Sequence, residues 1–142
     1  MGKLVRRLQD ASRSGVYRAG GEHEIADALR GSPLRLTRID LGNVADKNAL
    51  LERIARALEF PQWFGGNWDA LEDCLGDLAW LNADGHVLAF QNAEHLPQDE
   101  RGVLLDVLGS SAEFWAGRGK PFFAVFIDPQ RALSLPELFR AA

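Results

Sequence analysis

The six consecutive apolar residues Phe122-Phe123-Ala124-Val125-Phe126-Ile127 constrain the fold of this chain more than any other stretch. They follow the loop Gly117-Arg118-Gly119-Lys120-Pro121 and read as a strand buried on both faces. The mostly apolar His86-Val87-Leu88-Ala89-Phe90, after the turn Ala83-Asp84-Gly85, reads the same way. Leu34-Arg35-Leu36-Thr37-Arg38-Ile39-Asp40-Leu41 alternates apolar and polar residues, the pattern of a half-buried strand. Helical stretches separate the three. Asp46 is placed to cap a helix from Lys47 to Leu58, with Leu50, Leu51, Ile54, Ala57 and Leu58 inward. Leu96-Pro97 introduces a longer helix with Val103, Leu104, Val107 and Leu108 inward. Gly109-Ser110-Ser111 is expected to interrupt it before Ala112 to Ala116. Strands separated by helices pair in parallel, because the crossover brings the chain back to the same end of the sheet. The expected class is α/β.

The first 33 residues are harder to place. Residues 2 to about 12 read as a short basic helix with Leu4, Val5 and Leu8 inward, and Ser14 to Gly21 as a glycine-bracketed extended piece. Glu24 to Arg30 reads as another short helix, closed by Gly31-Ser32-Pro33. Residues 1–33 are therefore expected to be an extension packed on a domain of residues 34–142, supplying an edge strand or a cover. Leu133, Leu135, Leu138 and Phe139 are expected to fold back onto the body. No apolar run approaches the 18 or so residues of a membrane span, and Met1 to Arg7 lacks the apolar stretch of a secretory signal. Cys74 is the only cysteine, so a reducing cytoplasm is the expected location and a buried structural thiol its expected role.

The functional signal lies in Phe60-Pro61-Gln62-Trp63-Phe64-Gly65-Gly66-Asn67-Trp68-Asp69-Ala70-Leu71-Glu72-Asp73-Cys74-Leu75. An aromatic loop broken by proline and glycine runs into a helix that Asn67 can cap. Trp68, Leu71, Cys74, Leu75 and Leu78 recur at helical spacing as a buried side. Asp69, Asp73, Gly76, Asp77 and Trp80 recur on another, giving a file of carboxylates about 12 Å long that ends at a tryptophan. Like charges four apart cost a helix about 0.2–0.5 kcal/mol per pair, and only Asp69 sits close enough to the positive helix N-terminus to recover some of it. The plain alternative is a solvated helix face. The same carboxylates could instead surround a Mg²⁺ ion in a metal-dependent hydrolase. Against that, no Lys or Arg in the segment could hold a substrate phosphate, and His23, His86 and His95 are isolated.

Charge supports a binding surface. The net charge is −4, but no Lys or Arg occurs between Arg56 and Arg101, while that stretch holds nine acidic residues. A nucleic-acid binder would reverse that sign over its binding region. An acidic centre calls for a cationic partner.

The pattern Pro61-x-Trp63-Phe64-Gly65-x-Asn67-x-Asp69-Ala70-Leu71-x-Asp73-Cys74-Leu75 resembles the signature of the barstar family, intracellular protein inhibitors of barnase-type ribonucleases. The agreement is dense over residues 58 to 75 and extends more weakly from about residue 34 to residue 127. The resemblance implies a small three-stranded parallel sheet with helices, no enzymatic activity, no cofactor and no metal. The implied partner is a secreted or toxic basic ribonuclease, bound one to one, with no role for nucleic acid, a membrane or a small-molecule cofactor. Asp73 matches the family carboxylate that enters the nuclease active site, and Asp69 matches its companion. The other expected contacts are Trp63, Gly65, Gly66, Asn67, Asp77 and Trp80. Trp63 is expected to be exposed and Trp68 mostly buried; Gly65 and Gly66 would permit positive φ and close approach of another backbone. Two positions depart from the family. Glu72 stands where an aromatic is usual between the paired aspartates. The family's additional glutamate, from the helix before the last strand, has Glu113 as its nearest counterpart. A barstar-like fold that recognises a different cationic protein is the alternative reading.

Overall fold

In the computed structural model, which describes residues 2–139, the apolar run Phe122–Ile127 is a strand, and Phe122 to Phe126 are fully buried. In chain order the elements are α1 (Lys3–Leu8), β1 (Gly15–Ala19), α2 (His23–Leu29), β2 (Arg35–Asp40), α3 (Lys47–Ala57), α4 (Trp68–Asp77), β3 (His86–Gln91), α5 (Gln98–Gly117) and β4 (Phe122–Ile127). Short 3-10 turns cover Ala11–Arg13, Ala79–Leu81 and Ala93–His95.

All strand pairs are parallel, in the order β1-β4-β3-β2. The steps from β2 to β3 and from β3 to β4 run in one direction across the sheet, so right-handed crossovers place α3, α4 and α5 on one face. The step from β1 to β2 runs back across the sheet and places α2 on the other. Two cores result. Ile39, Leu50, Leu71, Leu75, Phe90, Leu104, Trp115 and Phe126 fill the first, where the Phe90 and Phe126 rings stack with centroids 4.7 Å apart. Leu4, Leu8, Ile25, Val87, Phe123 and Val125 fill the second.

The sheet has four strands, not the three expected. The glycine-bracketed piece after Ser14 forms β1, pairing Gly15 with Phe123 through Ala19 with Ile127. A strand apolar on both faces reveals what covers its faces, not how many neighbours it has. With β1 in place, the most apolar strand has a neighbour on each side. The outer edge of β1 is in turn covered by the tail, since the Arg18 amide donates to Pro136 O at 2.8 Å and the Leu138 amide to Arg18 O at 2.9 Å. The Arg18 side chain, itself buried, pairs with Asp128 and Glu137 at 3.8 and 3.2 Å.

The expected break at Gly109-Ser110-Ser111 is also absent. α5 is continuous over 20 residues. A mid-helix glycine costs about 1 kcal/mol against alanine. Here burial of Leu104, Leu108, Ser111, Ala112 and Trp115 on both sides of the glycine outweighs it. Ser111 Oγ donates to Val107 O at 2.9 Å, satisfying the hydroxyl of a buried serine.

Candidate protein-docking face

The polypeptide enters α4 through Asn67, whose side-chain oxygen accepts a hydrogen bond from the Ala70 amide at 2.7 Å. Gly66, at φ +70°, makes the turn just before that cap, in the left-handed region open to glycine. Leu71, Cys74 and Leu75 are fully buried against the sheet side of the core, and Trp68 is half-buried. Asp69, Glu72, Asp73 and Asp77 are exposed. None of the four pairs with a cation among the described residues, whereas Glu22, Asp27, Glu52 and Glu59 each hold an arginine. Asp69, Asp73 and Asp77 run along one side of α4; among the described residues no group of three or more His, Cys, Asp or Glu could hold a metal ion.

Cys74 lies behind this face. Burial first, then the Asp73 and Asp77 carboxylates, push its thiol up to about 11. It stays protonated at neutral pH and does no nucleophilic work.

Trp80 departs from the expected file. α4 ends at Asp77, because Leu78 adopts a left-handed conformation at φ +51° with its side chain buried. Trp80 then falls in the 3-10 turn, where its Nε1–H donates to Leu58 O at 2.9 Å. Helical spacing cannot carry past a C-cap that turns the chain. Trp80 therefore stands with the loop. Trp63 meets it edge-on, with centroids 6.3 Å apart, and Phe60 does so from another side at 6.0 Å. Trp63 itself is 60% exposed, the largest exposed aromatic of the described chain. The loop half of the face is thus Trp63, supported by Trp80, beside Gly65, Gly66 and Asn67, all exposed except Trp80.

The other half is a groove of about 540 Å³ between α4 and α5, walled on the α4 side by Glu72, Asp73 and Asp77. Gly76, Ser110, Ser111 and Phe114, 53% exposed, complete its lining, and the Phe114 ring lies close over Gly76, where a Cβ would meet it at 3.5 Å. α5 is fastened to the end of α4 at two carbonyls. Trp115 Nε1–H donates to Leu75 O at 2.8 Å, and Arg118 donates to Gly76 O at 3.2 Å. These bonds satisfy terminal carbonyls of α4 and put a positive charge at the negative end of its dipole.

Glu113 does not line this groove. It is exposed one residue before Phe114, roughly 100° further round the continuous helix. Sequence reasoning missed Phe114 because the expected break at 109–111 left no register for the second half of α5. The available signal was that Phe114 lies off the 104/108/112/115 apolar stripe, so a continuous helix would leave it unburied.

A family model described as "Barstar (barnase inhibitor)" matches residues 34–127, well over half of the chain. No curated protein matches it. Among solved structures, the chain is similar to the Aeropyrum pernix ORC2 protein in its ADPNP-ADP complexes, at 18% identity and a TM-score of 0.57. That match covers 92% of this chain and 41% of the other, so the chain spans less than half the length of its neighbour. At such identity the likeness concerns the fold alone. Among the described residues, no helix is long and apolar enough to cross a membrane.

Proposed function

The chain belongs to the barstar family, and from that premise we propose that it is an intracellular, non-enzymatic protein inhibitor of a barnase-type ribonuclease, acting in the cytoplasm. Four exposed carboxylates on α4 with no cationic partner among the described residues carry this reading, set beside the exposed Trp63. The face inserts into the substrate cleft of a basic ribonuclease. Asp69 and Asp73 take positions that RNA phosphates occupy and pair with active-site Arg, Lys or protonated His through charge-assisted hydrogen bonds. Desolvating carboxylates is costly, so each requires more than one such bond in the complex. Trp63 supplies the flat apolar anchor that interface centres favour, and Gly65 and Gly66 admit close approach of the partner's backbone.

The test is RNA cleavage by a barnase-type ribonuclease, titrated with the protein and with its Asp73→Ala and Asp99→Ala variants. Stoichiometric inhibition that is lost in Asp73→Ala and kept in Asp99→Ala is the expected result. Equal effects of the two substitutions would reject insertion of α4. No inhibition by the unaltered protein would shift the partner to another cationic protein.

A further inference from the structure

β2 forms the edge of the sheet opposite the tail-covered β1, and no strand or tail segment among the described residues pairs with its outer side. We propose that this edge pairs with the same strand of a second copy of the chain, antiparallel and two-fold symmetric about Thr37.

The hydrogen bonds of the strand show which groups are open. The Arg35 amide donates to Gly85 O at 3.0 Å and the Leu41 amide to Gln91 O at 2.8 Å, so residues 35, 37, 39 and 41 turn their backbone groups toward β3. Leu36, Arg38 and Asp40 turn theirs outward. Arg53 Nη1 caps the end of this edge, donating to Asp40 O and, at 3.4 Å, to Gly42 O. The amides and carbonyls of Leu36 and Arg38 keep no partner among the described residues. These four groups are self-complementary. About a two-fold axis at Thr37, Leu36 faces Arg38 of the second copy and the reverse, and each facing pair exchanges two hydrogen bonds. Neighbouring registers fail. Centring on Leu36 needs the Leu34 amide, which already donates to Ser32 Oγ at 3.1 Å. Centring on Arg38 sets two arginines directly opposite each other. Centring on Ile39 needs the Asp40 and Gly42 carbonyls that Arg53 holds.

Two side chains favour the same arrangement. Thr37 is buried at 6% exposure, yet its hydroxyl has no hydrogen-bond partner among the described residues. On the axis it stands opposite Thr37 of the second copy, in the kind of pair whose side chains lie closest, and each hydroxyl can donate to or accept from the other. Arg38 donates through Nε to Glu22 Oε1 at 3.2 Å, while the buried Glu22 Oε2 has no partner among the described residues. Each arginine therefore arrives already neutralised, and its unused Nη groups complement the spare oxygen of the other copy's Glu22.

Sedimentation equilibrium of the full chain is the test, from about 10 μM to about 1 mM, because a short ladder makes a weak, transient contact. The unaltered protein should dimerise. Leu36→Pro removes an outward amide from each copy and no bond to β3, and should raise the dissociation constant about 10-fold or more. Thr37→Val should raise it about 2- to 5-fold. A monomer at every concentration, or a dimer indifferent to Leu36→Pro, overturns the proposal. If Leu36→Pro lowers the thermal midpoint, cross-linking decides in its place. With oxidised glutathione, Thr37→Cys should form a disulfide-linked dimer, because the two thiols would face each other on the axis, and Arg38→Cys should not. Cross-linking through Arg38→Cys, or through neither, overturns the pairing.

Discussion

His86 gives this protein an acid-sensitive point in its core. The residue is fully buried at the start of β3, opposite Arg35 on β2 and Phe122 on β4. Its ring meets Trp115 edge-on at 5.3 Å, and neither ring nitrogen has a hydrogen-bond partner among the described residues. Burial first, then the positive charges of Arg35 and Lys120, lower its pKa to about 4 from 6.5. Between those values the unfolded chain binds a proton that the folded chain excludes. Stability is therefore full above about pH 6.5, declines as pH falls toward about 4, and has no further dependence from this group below that. The linkage gives a loss of about 1.4 kcal/mol by about pH 5.5 and about 2.5 kcal/mol by about pH 4.5. His86→Leu keeps an apolar group of similar size and removes the titration. Urea unfolding of both proteins at matched ionic strength, near pH 7.5 and near pH 4.5, isolates the contribution, because the carboxylates common to both cancel in the difference. The expected outcome is a stability difference that moves by about 2.5 kcal/mol in favour of His86→Leu on acidification. A difference that stays constant between the two conditions would refute the assignment of the acid limb to His86.

Other consequences are as direct. A Cβ at Gly85 would lie 2.7 Å from Leu34 Cδ2 and 2.9 Å from Pro121 O, and that carbonyl is held by the His86 amide at 3.0 Å. Gly85→Ala should thus destabilise by about 1–3 kcal/mol in thermal unfolding, while Gly102→Ala, with open space around it, should stabilise slightly. Asn67→Ala removes the bond to the Ala70 amide and should cost about 1 kcal/mol, with Asn67→Asp retaining most of it in the same denaturation assay. If the α4 carboxylates steer encounter, stopped-flow association with a basic ribonuclease should slow as salt rises while dissociation changes little; an association rate indifferent to salt would remove steering.

The docking face shows where local reading succeeds. Asn67 and Asp46 act as caps because a side-chain oxygen and an amide three residues on are brought together by the backbone alone. The buried stripe of Leu71, Cys74 and Leu75 and the exposed carboxylates follow from helical period. Trp80 and Phe114 were misplaced or missed for the opposite reason. Trp80 is placed by a bond to Leu58 O and by a left-handed Leu78, a conformation that leucine rarely adopts and no pattern announces. Phe114 depends on α5 passing unbroken through Gly109, which contacts on both sides of the glycine decide.

By itself, the amino-acid sequence determined the strands β2, β3 and β4, the helices between them and the acidic face of α4. Apolar periodicity, caps and turn residues act within a few positions of one another. Only the tertiary structure decided that Ser14 to Gly21 would contribute a fourth strand against β4, with the tail then covering β1. It alone brought Phe114 into one groove with Asp73 and Asp77. Those placements join residues dozens of positions apart, and their energy comes from burying shared surface, which no local pattern encodes.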